Sequence, residues 1–239
     1  MPTGILYGIS VGPGDPELIT VKGWRLLQKA AIVAFPAGLR GNPGVAEQII
    51  HGWLHPDQIR LALNFPYVQE MEILTAAWRS AAERVWYYLE QGQDVAFACE
   101  GDISFYSTFT YLAQTLQQIH PEVQIQYIPG VTSPLAAAAA LEMPLTVRQQ
   151  RLVVLPALYT VTDLETALQM ADVIVLLKVS SVYPQVWKLL EQAHLLEQSY
   201  VVERATHPDQ VIHRDLRARP DLKLPYFSLL IVQATAVSG

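Results

Sequence analysis

Ile5-Leu6-Tyr7-Gly8-Ile9-Ser10-Val11 is an apolar run that breaks into Gly12-Pro13-Gly14-Asp15-Pro16-Glu17. A short apolar run closed by a glycine-proline turn predicts a buried strand. The same arrangement returns twice. Asp94-Val95-Ala96-Phe97-Ala98-Cys99 ends in Glu100-Gly101-Asp102, and Gln124-Ile125-Gln126-Tyr127-Ile128 ends in Pro129-Gly130-Val131-Thr132-Ser133. A helix-like stretch follows each turn. Parallel strands whose carboxyl ends open into glycine turns form a ligand crevice. Glycine supplies positive φ and lets a ligand approach the backbone.

The rest of the first half keeps this alternation. Strands are predicted at 4–11, 30–36, 58–65, 94–100 and 123–128, with helices at 20–29, 43–54, 70–91, 104–119 and 133–141. Such a pattern predicts an α/β domain with a five-stranded parallel sheet and helices on both faces. Thr20 reads as the N-cap of the first helix, and Ser133-Pro134 as a cap followed by proline at the first helical position. Phe105, Phe109, Leu112 and Leu116 recur at helical spacing and predict core. Ala136 to Ala140 is an unbroken alanine run, whose small side chains suit a helix lying close to a neighbour or ligand.

The second half differs. Strands are predicted at 151–155, 172–179, 199–204, 209–214 and 227–234, and helices at 163–170 and 184–196. A hairpin-length link, Ala205-Thr206-His207-Pro208, joins two of these strands. A mixed or antiparallel sheet with helices follows. The expected domains are 1–145 and 146–239, with a cofactor cleft between them.

Bulk composition bounds the function. The 239 residues are 51% hydrophobic, enough for a substantial core. Apolar runs fall short of the ~20 residues that cross a bilayer, so no membrane partner is expected. A net charge of −6 argues against nucleic-acid binding. Cys99 is the single cysteine and lies in a predicted buried strand, which fits inert packing in a reducing cytoplasm. Arg204, His207, His213, Arg214, Arg217 and Arg219 crowd one late segment. They form either a solvated hairpin face or a wall that meets an anion.

The turns exclude familiar phosphate sites. The dinucleotide pattern needs a third glycine where Glu17 stands, and the P-loop pattern is absent. Asp15 and Glu17 would repel phosphate. The histidines lack metal spacing, so no metal is expected. With no legible nucleophile triad, chemistry would come from a reactive cofactor held in place.

Three stretches then resemble one family. Val11-Gly12-Pro13-Gly14-Asp15-Pro16-Glu17-Leu18-Ile19-Thr20-Val21-Lys22-Gly23 is similar to the opening signature of the tetrapyrrole methylases. Gly101-Asp102-Ile103-Ser104-Phe105-Tyr106-Ser107-Thr108 resembles their second signature, and Ile128-Pro129-Gly130-Val131-Thr132-Ser133 their third. The resemblance implies a two-domain α/β fold, methyl transfer from S-adenosylmethionine with S-adenosylhomocysteine as product, an anionic tetrapyrrole substrate and a homodimer. The Phe105-to-Phe109 run narrows it to methylation of carbon 20 of precorrin-2 on the route to cobalamin. Cobalt-precorrin-2 or another corrinoid position is the alternative. A non-catalytic adenosine-ligand or tetrapyrrole-binding module is the reading from another class. Pro36 stands where the uroporphyrinogen III methylases carry an aspartate, which turns the resemblance away from them.

The resemblance also implies site residues. Pro13, Gly101, Asp102, Ile103, Tyr106, Thr132 and Ser133 would meet the cofactor, with Lys178 and Ala205 on its adenosine part. Asp15 and Glu100 are the candidate proton acceptors. Arg40, Arg204 and Arg214 are candidate partners of the substrate carboxylates.

Overall fold

A computed structural model describes residues 2–38, 42–156 and 161–234. It divides into two compact units, Met1–Thr132 and Ser133–Gly239. The sequence placed the boundary at 145–146. The stretch up to 145 groups with the second unit, where Arg214 Nη2 donates to the Leu141 carbonyl and Gln233 Nε2 to that of Leu145.

The first unit holds strands β1 (Ile5–Ser10), β2 (Ile32–Pro36), β3 (Ile59–Leu63), β4 (Val95–Cys99) and β5 (Gln124–Ile128). All pair in parallel, in the order β3-β2-β4-β1-β5. Helices α1 (Val21–Lys29) and α2 (Val45–Ile50) follow β1 and β2, while α3 (Met71–Leu89) and α4 (Phe109–Ile119) follow β3 and β4. Two apolar clusters show which face each helix covers. Leu27 of α1 and Ile49 and Ile50 of α2 pack with Ile9, Val33 and Phe35. On the other face, Val85 and Leu89 of α3 and Phe109 and Leu112 of α4 pack with Leu6, Ile32, Ala34 and Phe97. The side chains alternate across the strands, as a sheet covered on both faces requires.

This arrangement fixes where a ligand can sit. β1 sends its chain to the α1 face, and neighbouring β4 sends its chain to the α4 face. The two loops diverge at their shared carboxyl edge, the switch point at which open α/β sheets bind ligands.

Side-chain hydrogen bonds mark two helix starts. Thr20 accepts from Gly23 N–H at 3.1 Å, as expected from the sequence. The helix expected over 104–119 begins later, at Phe109. Tyr106 has φ +53°, outside the helical region, and Ser107 Oγ accepts from Phe109 N–H at 3.1 Å. Phe105 is therefore a half-buried loop residue, whereas Phe109, Leu112 and Leu116 are fully buried helix positions.

The second unit contains α5 (Ser133–Ala140), β6 (Leu152–Leu155), α6 (Thr162–Met170), β7 (Val173–Leu177), α7 (Tyr183–Gln192), β8 (Ser199–Glu203), β9 (Val211–Arg214) and β10 (Ser228–Gln233). Its sheet runs β6-β7-β10-β8-β9. β6 and β7 are parallel and the other pairs antiparallel, so the expected mixed sheet is present. Among the described residues no helix is long and apolar enough to cross a membrane.

Candidate functional site

The first two glycine turns meet at the switch point. Gly12 and Gly101 form an antiparallel bridge, with Gly101 N–H donating to Gly12 O at 2.8 Å and Gly12 N–H to Gly101 O at 3.2 Å. Their φ angles are +78° and +67°, a region that other residues enter at a cost of about 1–2 kcal/mol. A Cβ built on Gly101 would meet no atom within 4 Å. The backbone there borders open space, as a main chain that receives a ligand should.

Asp102 ties these turns to the third. Its carboxylate accepts from Gly130 N–H at 2.7 Å and Ser104 N–H at 2.8 Å, and also from the Ser104 hydroxyl. Ser10 Oγ lies 3.4 Å from the same carboxylate. That hydroxyl donates to the Ile128 carbonyl at 2.8 Å and accepts from Ile103 N–H at 2.7 Å. Burial raises the carboxyl pKa of Asp102. The hydrogen bonds from Ser104 and Gly130 outweigh it and hold the group below its ordinary value. The switch point thus carries a fixed, buried negative charge.

The remaining candidates near these turns lie on the segments that leave β1, β4 and β5. Pro13 and Asp15 are half-buried on the β1 loop, and Asp15 Oδ1 accepts from Glu17 N–H at 2.8 Å. Glu100 is half-buried at the end of β4, beside the bridge. Ile103 is buried and Tyr106 exposed. Thr132 and Ser133 follow the Gly130 turn and are half-buried. Ser10 was missed by sequence reasoning. Its one signal was a hydroxyl in an otherwise apolar strand.

In the second unit, Lys178, Arg204, Ala205 and Tyr226 lie at one end of the sheet, because β10 pairs Leu229 with Leu177 and Ser228 with Glu203. Arg204 N–H donates to Phe227 O at 2.7 Å. Lys178 has φ +53° and is exposed, with Nζ 5.4 Å from the Tyr226 ring centroid. Ala205 is buried.

The late basic segment is largely engaged within the unit. His213 Nε2 pairs with Glu203 Oε1 at 2.7 Å, and Arg219 Nη1 lies 3.1 Å from His213 Nδ1. Arg217 pairs with Asp215 and Glu197, while Arg214 donates to the Leu141 carbonyl. Among the described residues, the one ion pair of Arg204 is a 3.9 Å contact with exposed Asp209. Arg40 lies outside the described residues. Among the described residues, no three metal-ligating side chains gather.

A cationic sulfonium suits this donor set. The main chain at Gly101 opens to space, and the ionised Asp102 carboxylate lies within the turn.

A family model described as Tetrapyrrole (Corrin/Porphyrin) Methylases matches residues 5–219. The chain is 35% identical to a cobalt-precorrin-2 C(20)-methyltransferase of Salmonella typhimurium, covering 96% of each protein. It is 31% identical to a precorrin-2 C(20)-methyltransferase of Sinorhizobium sp, covering 96% of this chain and 95% of that one. A Thermus thermophilus uroporphyrin-III C-methyltransferase, solved with S-adenosylhomocysteine, shares the fold. Its TM-score is 0.69 at 23% identity, covering 96% of this chain and 92% of the other.

Proposed function

Because this chain belongs to the tetrapyrrole (corrin/porphyrin) methylases, we propose that it methylates carbon 20 of precorrin-2, giving precorrin-3A in cobalamin biosynthesis. It is an S-adenosylmethionine-dependent methyltransferase. The observation that carries the reading is the Gly12–Gly101 bridge at the switch point, braced by Asp102 and open beside Gly101.

Bound S-adenosylmethionine supplies an electrophilic methyl group on a cationic sulfur. Gly101, Asp102, Ile103 and Tyr106 would hold its methionine part, with Pro13, Thr132 and Ser133 around it. Lys178 and Ala205 would take the adenosine part. The buried Asp102 charge favours a cation at the turn and fixes the main chain that receives it. Carbon 20 of the reduced ring is enamine-like and already nucleophilic, so the protein's main contribution is alignment. Positioning of this kind supplies about 7–11 kcal/mol in favourable cases. A proton then leaves carbon 20, and Asp15 and Glu100 are the carboxylates proposed to accept it. Arg40, Arg204 and Arg214 would face the substrate carboxylates, with Arg204 the least engaged of the two described.

A cobalt-loaded substrate is the second reading, favoured by the 35% identity to the Salmonella protein. We further infer a cytoplasmic homodimer, supported by the family resemblance and by the buried free thiol of Cys99.

Mass spectrometry after incubation with S-adenosylmethionine and each form of precorrin-2 tests the function. One added methyl at carbon 20 is expected. Binding of both ligands without transfer would establish a binding module instead. Light scattering tests the dimer, and a monomer at micromolar concentration would overturn it.

A further inference from the structure

A pocket of about 580 Å³ opens in the second unit, lined by Ser180, Ser181, Glu203, Arg204 and Lys223 against an apolar wall that includes Leu224. We propose that it seats a carboxylate arm of the tetrapyrrole substrate. This rests on the methyltransferase function and adds Lys223, Ser180 and Ser181 to its binding residues.

Charge decides the class of ligand. Three ionisable groups line the pocket, and Glu203 alone is negative. Its carboxylate is held by His213 at 2.7 Å, and the other ring nitrogen of His213 faces the Arg219 guanidinium at 3.1 Å. Guanidinium nitrogens only donate, so Nδ1 accepts and Nε2–H donates to Glu203. The His213 ring thus links one carboxylate to one guanidinium, and the Glu203 charge is offset within the fold. Arg204 and Lys223 remain as the excess. Lys223 has no ion pair among the described residues, and the Arg204–Asp209 contact is long and exposed. The hydroxyls of Ser180 and Ser181 make no hydrogen bond within the described residues, so both can donate to an oxyanion. The apolar wall suits the methylene stem of a carboxyalkyl side chain.

Steady-state kinetics of the intact enzyme, with precorrin-2 and cobalt-precorrin-2, test the assignment. Lys223→Ala should raise the substrate KM roughly three- to fivefold, as expected for a partly exposed charge pair, with kcat little changed. Lys223→Glu should raise it by roughly tenfold or more, since a like charge then faces the carboxylate. Ser180→Ala should give a smaller rise. S-adenosylhomocysteine affinity, measured by calorimetry, should stay at its wild-type value in all three. An unchanged substrate KM in both Lys223 variants of an active enzyme overturns the proposal. Wild-type enzyme that transfers no methyl to either substrate refutes the precorrin-2 methylation on which this rests. Millimolar acetate or phosphate that binds the wild type but not Lys223→Ala, and leaves the substrate KM unchanged, would assign the pocket to a free anion and overturn the substrate-arm assignment. Glu203→Gln should leave kcat largely intact. A collapse of kcat there would make Glu203 a proton acceptor and the pocket a reaction site, again overturning the proposal.

Discussion

The Asp102 carboxylate accepts from the Gly130 amide at 2.7 Å and so joins the ends of β4 and β5 across the strand between them. The charge therefore serves two ends. It holds three loops in register, and it leaves a fixed anion at the switch point.

Replacing Asp102 with alanine strands the Gly130 and Ser104 amides at once. Hydrogen bonds to charged groups contribute about 1.5–3 kcal/mol each. Asp102→Ala should therefore lower unfolding free energy by at least about 2 kcal/mol and weaken S-adenosylhomocysteine binding more than tenfold. Asp15 caps a single short turn. Asp15→Ala should cost roughly 0.5–1 kcal/mol and barely alter cofactor affinity. Denaturant titrations and calorimetry of both variants check this, and equal cofactor dissociation constants would undo the division of roles.

Acid should act on the same group. The folded pKa of Asp102 is depressed below the unfolded value of about 3.9. Its stabilisation is thus fully present above about pH 4 and is lost as pH falls through the lower folded value. Thermal melts between about pH 6 and pH 2.5 should show a steeper acid decline in the wild type than in Asp102→Asn. Parallel curves would remove Asp102 from the acid transition.

How much of this was visible in the sequence depends on distance along the chain. The strand ends and the Thr20 cap are local patterns and could be read directly, while Asp102 came with the family resemblance. Ser10 could not, because its partners Ile128 and Ile103 lie 118 and 93 positions away and meet it only through sheet order. The start of α4 was misplaced because apolar spacing continues through Phe105, while the positive φ of Tyr106 breaks the helix. His213 could be read as part of a solvated face or of a basic wall, and neither pattern showed that β8–β9 pairing sets it against Glu203.

Gly101 and Gly130 are needed for different reasons. A Cβ at Gly101 meets open space but must adopt φ +67°, whereas one at Gly130 would lie 2.5 Å from Ser10 Cβ. Gly101→Ala should cost about 1–2 kcal/mol of stability and a larger share of cofactor affinity. Gly130→Ala should be the more destabilising, by about 1–3 kcal/mol or more through overpacking. Melts that rank the two the other way would contradict this account.

Cys99 should be chemically silent in the native protein. It is 4% exposed, and its Sγ lies 3.0 Å from Ser107 Oγ. Burial pushes its thiol up to about 11, despite the opposing hydrogen bond from Ser107. Thiolate is the reactive form. Iodoacetamide at pH 7.5 should label the denatured chain and leave the native one unmodified. Rapid native labelling would show that the strand opens.

The alanine run in α5 offers a test of packing against propensity. Ala136, Ala137 and Ala138 are 3%, 0% and 3% exposed, whereas Ala139 and Leu135 face solvent. Leucine forms helix nearly as well as alanine, so propensity alone predicts tolerance throughout. Close packing predicts asymmetry. Ala137→Leu and Ala138→Leu should each cost about 1–3 kcal/mol by overpacking and lower activity by disturbing the adjoining Thr132-Ser133 turn, with the fold retained. Ala139→Leu should melt and turn over like the wild type. Circular dichroism separates loss of fold from loss of fit. Wild-type melting and cofactor affinity in both buried-site variants would leave the run as a helix former and nothing more.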